Sequence, residues 1–487
     1  MKYYKHISSI NVIHILLLIL VNINVVLSQS TFNLTIGTEL DEGFPLIELS
    51  DDAFILLYNQ KDYTTQPERH IAYFDQISYE GEVSNLYQFS SDTVDFIITT
   101  IKKHNQSYYC HGLQKHIDST LYRHWLFKMD EYMQIEWEKT YESPFNDHSY
   151  QSEISFINEE IIISSTNWNN INNAFATQFL RFDYNGNFIT EKTIDTLKWT
   201  IVYDILQKHT PNINSFYAFG MGFNLPGPVR ITLDYQFNII DEVQTYTTNE
   251  QDAEWITDST ILLCGSGYHD DTIYMVSRIM DTNMVAHNEV MYKHSDSKNQ
   301  HVCVYNAFSK TEEINYYLGG STHIDLENVP SPTYIMLNKI DTALNTHWQK
   351  FYGGDARYAL YSMRTTPDGG CIMTGYKYDY MNTQYNERDI FVMKVDENGL
   401  ITSVDNPDFQ VADAIVYPNP GTNTLHIQSA FLLKEIRMMD INGRMVLQQP
   451  LNNLMDKINV SPLNAGTYIY QIIGRDDEIQ HGKWIKM

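Results

Sequence analysis

At 487 residues the chain is too long for one ordinary hydrophobic core, so several domains or a repeat array are expected. Sixty acidic against thirty-three basic residues leave a formal net charge of −27, which repels phosphate backbones and counts against nucleic acid as a partner. Aromatic residues make up 13% of the chain, with 35 tyrosines, and no long segment keeps a helical apolar period, so strands are favoured over helices.

The N-terminus carries Lys2 and Lys5, then an apolar run from about Ile10 to Leu27. Val26 and Ser28 satisfy the small-residue rule for cleavage before Gln29. Asn22 and Asn24 interrupt the run and no basic stop-transfer cluster follows, so residues 1–28 read as a cleaved signal peptide rather than a membrane anchor. No cysteine follows that site, which argues against lipid attachment there.

From residue 29 to 402 an apolar strand ending in Asp recurs, at Asp75, Asp130, Asp183, Asp234, Asp281, Asp341 and Asp396, spaced 47 to 60 residues apart. Upstream of each lies a second apolar strand, usually closed by a small residue, as in CIMTG. A Gly there permits close backbone approach or a sharp exit from the sheet. With an outer element such as HWQKFY and an inner one such as ALYSMRTT, each unit holds four strands. That count and period fit a propeller blade, and a ring of seven gives each blade a neighbour on both faces. Phe32–Ile36 read as an outer strand with no blade before them, and so are expected to complete the last one.

The clearest copy is His347–Leu400. Its HWQKFYGG, TPDGGCIMTGY and IFVMKVDENG segments resemble the W-x-K-x-Y-G-G, D-G-G-Y-x-x-x-G and K-x-D-x-N-G repeats of secreted bacterial propeller proteins. The resemblance implies a fold and carries no catalytic residue. Cys110, Cys264, Cys303 and Cys371 read as buried small hydrophobes, three of them in equivalent strands.

The long second-to-third-strand connections, among them YKYDYMNTQYNER with Tyr380, fall on one face of such a ring. Asp41, Glu42, Asp92, Asp147, Asp195, Asp252, Glu254, Asp296 and Asp355 read as loop carboxylates at that end, with Trp168, Trp199 and Trp255. From these, Trp168, Trp199, Trp255, Asp252, Glu254, Asp355 and Tyr380 form the candidate ligand-binding set. Aromatic platforms beside carboxylates suit sugar rings, and several carboxylates suit Ca²⁺. The competing reading has each Asp bonded to its own turn and each Trp packed between blades. No zinc-protease, serine-hydrolase or phosphate-loop motif occurs, and His111 with His116 lack a third metal ligand, so no catalytic, cofactor or metal residue is assigned.

Residues 403–412 read as a linker and 413–487 as a small antiparallel β-sandwich of immunoglobulin-like type. Tyr417, Pro418, Asn419 and Pro420 open this module. Asp440, Asn442, Gly443 and Arg444 follow, then Gly466, Thr467, Tyr468 and Lys483. In order and spacing these are similar to the type A sorting domain of the type IX secretion system. The resemblance implies handling by that machinery, passage across both membranes, and release or attachment at the outer-membrane surface. The whole reads as all-β: a seven-bladed β-propeller followed by the sandwich. The expected role is a noncatalytic binding or adhesion module for protein or glycan, the alternative a secreted carbohydrate-active enzyme using loop carboxylates.

Overall fold

The structure is a computed structural model. It describes residues 30–401 and 414–487, apart from positions 39, 64–68, 120, 144–148, 170–173, 195–200, 209–214, 222–227, 245–247, 270–271, 295–298, 313–314, 323–331, 381–386, 418–420, 430–431, 441–442, 454 and 476–478. The expected signal peptide and linker, and the positions of Asp147, Asp195, Trp199, Asp296, Pro418, Asn419, Pro420 and Asn442, lie outside the described residues.

Among the described residues all regular elements are strands. β1 (Phe32–Ile36) stands apart in sequence from the sheet it joins. The first sheet is β2 (Asp41–Leu49), β3 (Ala53–Asp62), β4 (Arg69–Ser78) and β5 (Val83–Phe89). The second is β6 (Val94–His104), β7 (Ser107–His116), β8 (Arg123–Met129) and β9 (Ile135–Glu142). The third is β10 (Ser149–Ile157), β11 (Glu160–Asn169), β12 (Ala174–Asp183) and β13 (Phe188–Ile194). The fourth is β14 (Ile201–Gln207), β15 (Ser215–Met221), β16 (Pro228–Asp234) and β17 (Ile239–Gln244). The fifth is β18 (Thr248–Thr257), β19 (Thr260–His269), β20 (Thr272–Asp281) and β21 (Ala286–Tyr292). In the sixth the first strand is broken into β22 (Gln300–Val302) and β23 (Phe308–Lys310), followed by β24 (Asn315–Thr322), β25 (Tyr334–Asp341) and β26 (Thr346–Gly353). The seventh is β27 (Arg357–Thr365), β28 (Cys371–Tyr378) and β29 (Asp389–Val395), and β1 is its fourth strand, pairing antiparallel with β29 from Phe32↔Lys394 to Ile36↔Ile390. The His347–Leu400 stretch therefore spans two sheets, because its first strand, β26, pairs with β25.

Successive sheets pack face to face near their first strands: β2 on β6, β6 on β10, β10 on β14, β14 on β18, and β2 back on β27. The apolar clusters sit in these seams, as where Ile55, Leu57 and Phe74 of the first sheet meet Ile98, Cys110 and Phe127 of the second. All four cysteines are buried thiols, none of them joined in a disulfide.

Local chemistry sets the hairpins. At Asp130, Asp183, Asp234, Asp281, Asp341 and Asp396 the Oδ1 atom accepts the N–H groups two and four residues on, at 2.7 to 2.9 Å. The residue three positions on is left-handed, Gly186 at φ 74° and Leu344 at φ 68° for example. Asp75 departs from this pattern. β4 runs on to Ser78, whose hydroxyl accepts from Glu80 and Glu82, while Asp75 is buried and accepts from Asn85 at 2.8 Å.

A glycine in the second strand allows the first to come close. A Cβ on Gly375 would stand 2.0 Å from the Ala359 carbonyl oxygen, and one on Gly220 2.0 Å from that of Ile201. Beside these contacts each intact first strand carries a bulge, with Phe44 and Pro45, Thr99, Tyr150, Tyr203, Gln251 and Tyr361 as the extra residues.

The C-terminal module has two sheets, β30 (Ala414–Tyr417), β31 (Thr424–Ser429) and β34 (Met455–Asn459) against β33 (Met445–Pro450), β32 (Leu433–Asp440), β35 (Gly466–Gly474) and β36 (Ile479–Lys486). Leu425, Ile436, Ile458, Ile472 and Trp484 are wholly buried between them.

Candidate functional site in the central channel

The first strands run side by side around the middle of the repeat region, and each carries a charged residue, in the intact strands just past the bulge. These are Glu48 on β2, Lys102 on β6, Glu153 on β10, Asp204 on β14, Asp252 and Glu254 on β18, Lys310 on β23 and Arg364 on β27. A small cavity is lined by Ile47, Lys102, Glu153, Tyr305, Ser362 and Arg364, residues from five of the sheets. Polar groups gather there because a bulge re-aims the strand while the seams on either side take the apolar residues.

Most of these charges are paired across a seam. The Arg364 guanidinium grips Glu48, Nη2 to Oε2 at 2.9 Å and Nε to Oε1 at 3.2 Å. Lys102 pairs with Glu153, and Lys310 stands 3.5 Å from Glu254. Burial opposes ionisation of Glu48, but Arg364 and the Leu49 and Lys103 N–H groups outweigh it and hold the carboxyl below its usual range.

Among the described residues no cation is in hydrogen-bond contact with Asp204 or Asp252. Asp204 accepts from the Ile205 N–H at 2.8 Å and, across the seam, from the Ala253 N–H at 3.0 Å. Asp252 accepts from the Phe308 N–H at 2.9 Å. Burial raises both: Asp204 well above the usual range, with Asp252 and Glu153 adding repulsion, and Asp252 to about 7, with Glu254 and Glu153 adding theirs. Ser309 and Ser362 continue the pattern, accepting from the Thr365 N–H at 2.6 Å and the Ile47 N–H at 3.4 Å.

Bulge residues make a second, aromatic layer. Phe44, at φ 55° and 40% exposed, meets Tyr361 edge-on at 5.8 Å between ring centroids, and Tyr361 lies 5.7 Å from Tyr305. Burial pushes the Tyr203, Tyr305 and Tyr361 hydroxyls above their ordinary range.

The sequence reading placed Asp252, Glu254 and Trp255 in a loop. They lie on β18, because Asp252 to Trp255 pair antiparallel with Cys264 to Ile261 of β19 as an inner strand. Asp41 and Glu42 likewise belong to β2, where Asp41 is held by Arg388 at 2.6 Å. The Trp255 indole donates to the Gln207 carbonyl at 2.8 Å and lies beside Tyr217, a seam contact as in the competing reading. Trp168 is on β11, in register with Phe175.

Asp355 precedes β27, accepts from the Tyr358 hydroxyl at 2.9 Å and lies 3.5 Å from Lys377. Tyr380 follows β28 with its ring 6.4 Å from Tyr378, and burial, then Asp379 and Asp355, raise its hydroxyl. Asp252 and Glu254 thus share the channel wall, whereas Asp355 and Tyr380 sit at the end where first strands begin. Glu48, Lys102, Glu153, Asp204 and Arg364 were absent from the sequence-based set; their one signal is a charged residue recurring inside an apolar first strand. Among the described residues no group of three His, Cys, Asp or Glu side chains is placed to hold a metal ion. Of the sorting residues, Asp440 accepts the Arg444 N–H at 3.0 Å, Gly443 is left-handed, Tyr468 donates to the Asn464 carbonyl at 2.7 Å, and Gly466, Thr467 and Tyr468 pair with β36, where Lys483 stands opposite Ile469.

Successive four-stranded antiparallel sheets, packed first strand to first strand and completed by an N-terminal strand, define a β-propeller. The tail defines an exported protein: residues 415–486 match the family described as the secretion system C-terminal sorting domain, that of type IX export. No curated protein matches the chain. Among solved structures it is similar to PorZ, an essential bacterial surface component of the type IX secretion system of Porphyromonas gingivalis, at 9% identity over 90% of this chain and 81% of that one, TM-score 0.26. It is also similar to the phage phi92 endosialidase, at 10% identity, 94% and 79% coverage and TM-score 0.40. For the Dos1 propeller the values are 11%, 74% and 94%, and 0.42.

Proposed function

We propose that the seven sheets are the blades of one closed seven-bladed propeller, that the C-terminal module is an immunoglobulin-like sandwich serving as its export address, and that the ring is a noncatalytic binding module for glycan or protein at the cell surface or outside the cell. Residues 1–28 act as the signal peptide for the first membrane, and the type IX machinery recognises the tail at the second. One observation carries the noncatalytic reading: the channel charges are engaged within the ring, as ion pairs or as acceptors of the next strand's N–H groups. The long-loop end, with Asp355 and Tyr380, is then the binding face, and Ca²⁺ is a candidate co-ligand there. A glycan array combined with a polysaccharide-turnover panel tests this, binding without product release being expected.

A second reading, a carbohydrate-active enzyme, is favoured by Asp252. A carboxyl raised to about 7 is half protonated near neutral pH, as a general acid requires. Product release that disappears in Asp252→Asn would establish that reading and overturn the first.

A further inference from the structure

A line of polar side chains crosses the seam between the second and third sheets. Ser152 Oγ on β10 lies 3.1 Å from His111 Nδ1 on β7, and His111 Nε2 lies 3.0 Å from His124 Nδ1 on β8. His124 Nε2 is 2.7 Å from Gln178 Oε1 on β12, and Gln178 Nε2 donates to Glu191 Oε2 on β13 at 2.9 Å. Thr99, the β6 bulge residue, bonds to the Ser152 hydroxyl. Ser152, His111, His124 and Gln178 are all fully buried.

The outer end sets the direction of the line. An ionised Glu191 only accepts, so Gln178 turns its N–H to it and its carbonyl to His124. His124 must then carry hydrogen on Nε2 and leave Nδ1 bare, and His111 must donate from Nε2 to that bare nitrogen. Both rings are neutral and hold the same tautomer. A proton added at His124 Nδ1 would set N–H against N–H. One added at His111 Nδ1 would force the Ser152 hydroxyl to turn and would leave a cation in the interior.

Few groups could neutralise that cation. Thr99, Ser152 and Gln178 face the rings, and all are uncharged. Tyr141 stands opposite His124 on β9 and donates its hydroxyl to the Gly186 carbonyl. Glu191 is one hydrogen bond further out, beyond Gln178. Among the described residues no carboxylate touches either ring.

We propose that this histidine pair is an acid-sensitive latch: the seam between the second and third sheets is complete only while both rings are neutral, and protonation releases it. Burial pushes His124 down to about 4 and His111 well below its ordinary value, with His124 beside it adding repulsion. The sign follows from linkage. Unfolded histidines take up protons near 6.5, so the contribution of the line is full above that pH and is lost as pH falls towards 4. At pH 4.5 one such ring shifts the unfolding equilibrium on the order of a hundredfold towards the unfolded side.

The test compares the full chain with H111Q/H124Q, since glutamine can donate and accept along the same line without titrating. Unfolding is measured from pH 7.5 to 4.5. The native chain is expected to lose stability more steeply, by about a hundredfold for each ring removed; parallel profiles would overturn the proposal. If the variant does not fold, histidine NMR of the native chain decides. Two of the seventeen histidines should keep the Nε2–H tautomer and stay neutral to below pH 5, and titration of every histidine near 6.5 would sink the idea.

Discussion

Arg364 and Glu48 stand 316 residues apart in sequence, yet their side chains meet in two hydrogen bonds where the seventh sheet packs on the first. The pair closes the channel wall at the seam between the first and seventh sheets. Removing one partner leaves a buried charge without its counter-ion, which typically costs about 3 kcal/mol or more, whereas removing both costs far less. Glu48→Gln and Arg364→Met should therefore each lower the denaturation midpoint strongly, and the double variant by less than their sum, in urea titrations. Because Glu48 is held below its usual range, its contribution is present at neutral pH and lost as pH falls through that lowered value.

Asp252 has the opposite sign. Its folded carboxyl titrates at about 7, above the ordinary 3.8, so the folded state keeps a proton that the unfolded chain has released. The stability linked to this group is full below 3.8 and lost as pH rises through 7. Asp252→Asn should raise the melting temperature at pH 8 and leave it nearly unchanged at pH 4, read by calorimetry at the two pH values.

How much of this was legible depended on the range of the interactions. The hairpins at Asp183 or Asp396 announce themselves because the side chain bonds to its own backbone within four residues. Asp75 misled for the same reason: it ends an apolar run, but Ser78 does the capping three residues later. Asp252 and Glu254 were legible as carboxylates but not as wall residues, since QDAEWIT looks polar enough for a loop until β19 and the next sheet are beside it. The Arg364–Glu48 and His111–His124 contacts depend on packing between or across strands, which a local pattern cannot reveal.

Two glycines separate close approach from backbone conformation. A Cβ at Gly375 would meet the Ala359 oxygen at 2.0 Å, and only a shift of β27 could relieve it. At Gly443 the backbone is left-handed, φ 77°, but nothing lies within 4 Å. Gly443→Ala should cost about 1–2 kcal/mol, the usual left-handed penalty for a side chain. Gly375→Ala should cost more, in the range of about 1–3 kcal/mol seen for overpacking or above it, with the loss falling on the ring. Equal, small losses in paired melting experiments would mean that β27 moves freely at its bulge.

β1 joins the two ends of the repeat region. It supplies the outer strand of the seventh sheet, with Phe32 buried against Phe54 of the first sheet at 6.3 Å between rings. Lys394 Nζ bonds to both the Ser30 carbonyl and Asp368, so the segment is tied down from residue 30 onwards. Without it β29 becomes an unpaired edge, the cluster of Ile47, Phe54, Ile372 and Val392 opens to water, and Lys394 loses one of its two partners. Deleting residues 30–37 should therefore lower the melting temperature of the whole ring rather than fray one sheet, because each sheet is stabilised by its neighbours. Calorimetry on the full chain distinguishes the outcomes. A single ring transition moved to lower temperature is expected, and an unchanged transition would mean that the seventh sheet holds without its fourth strand.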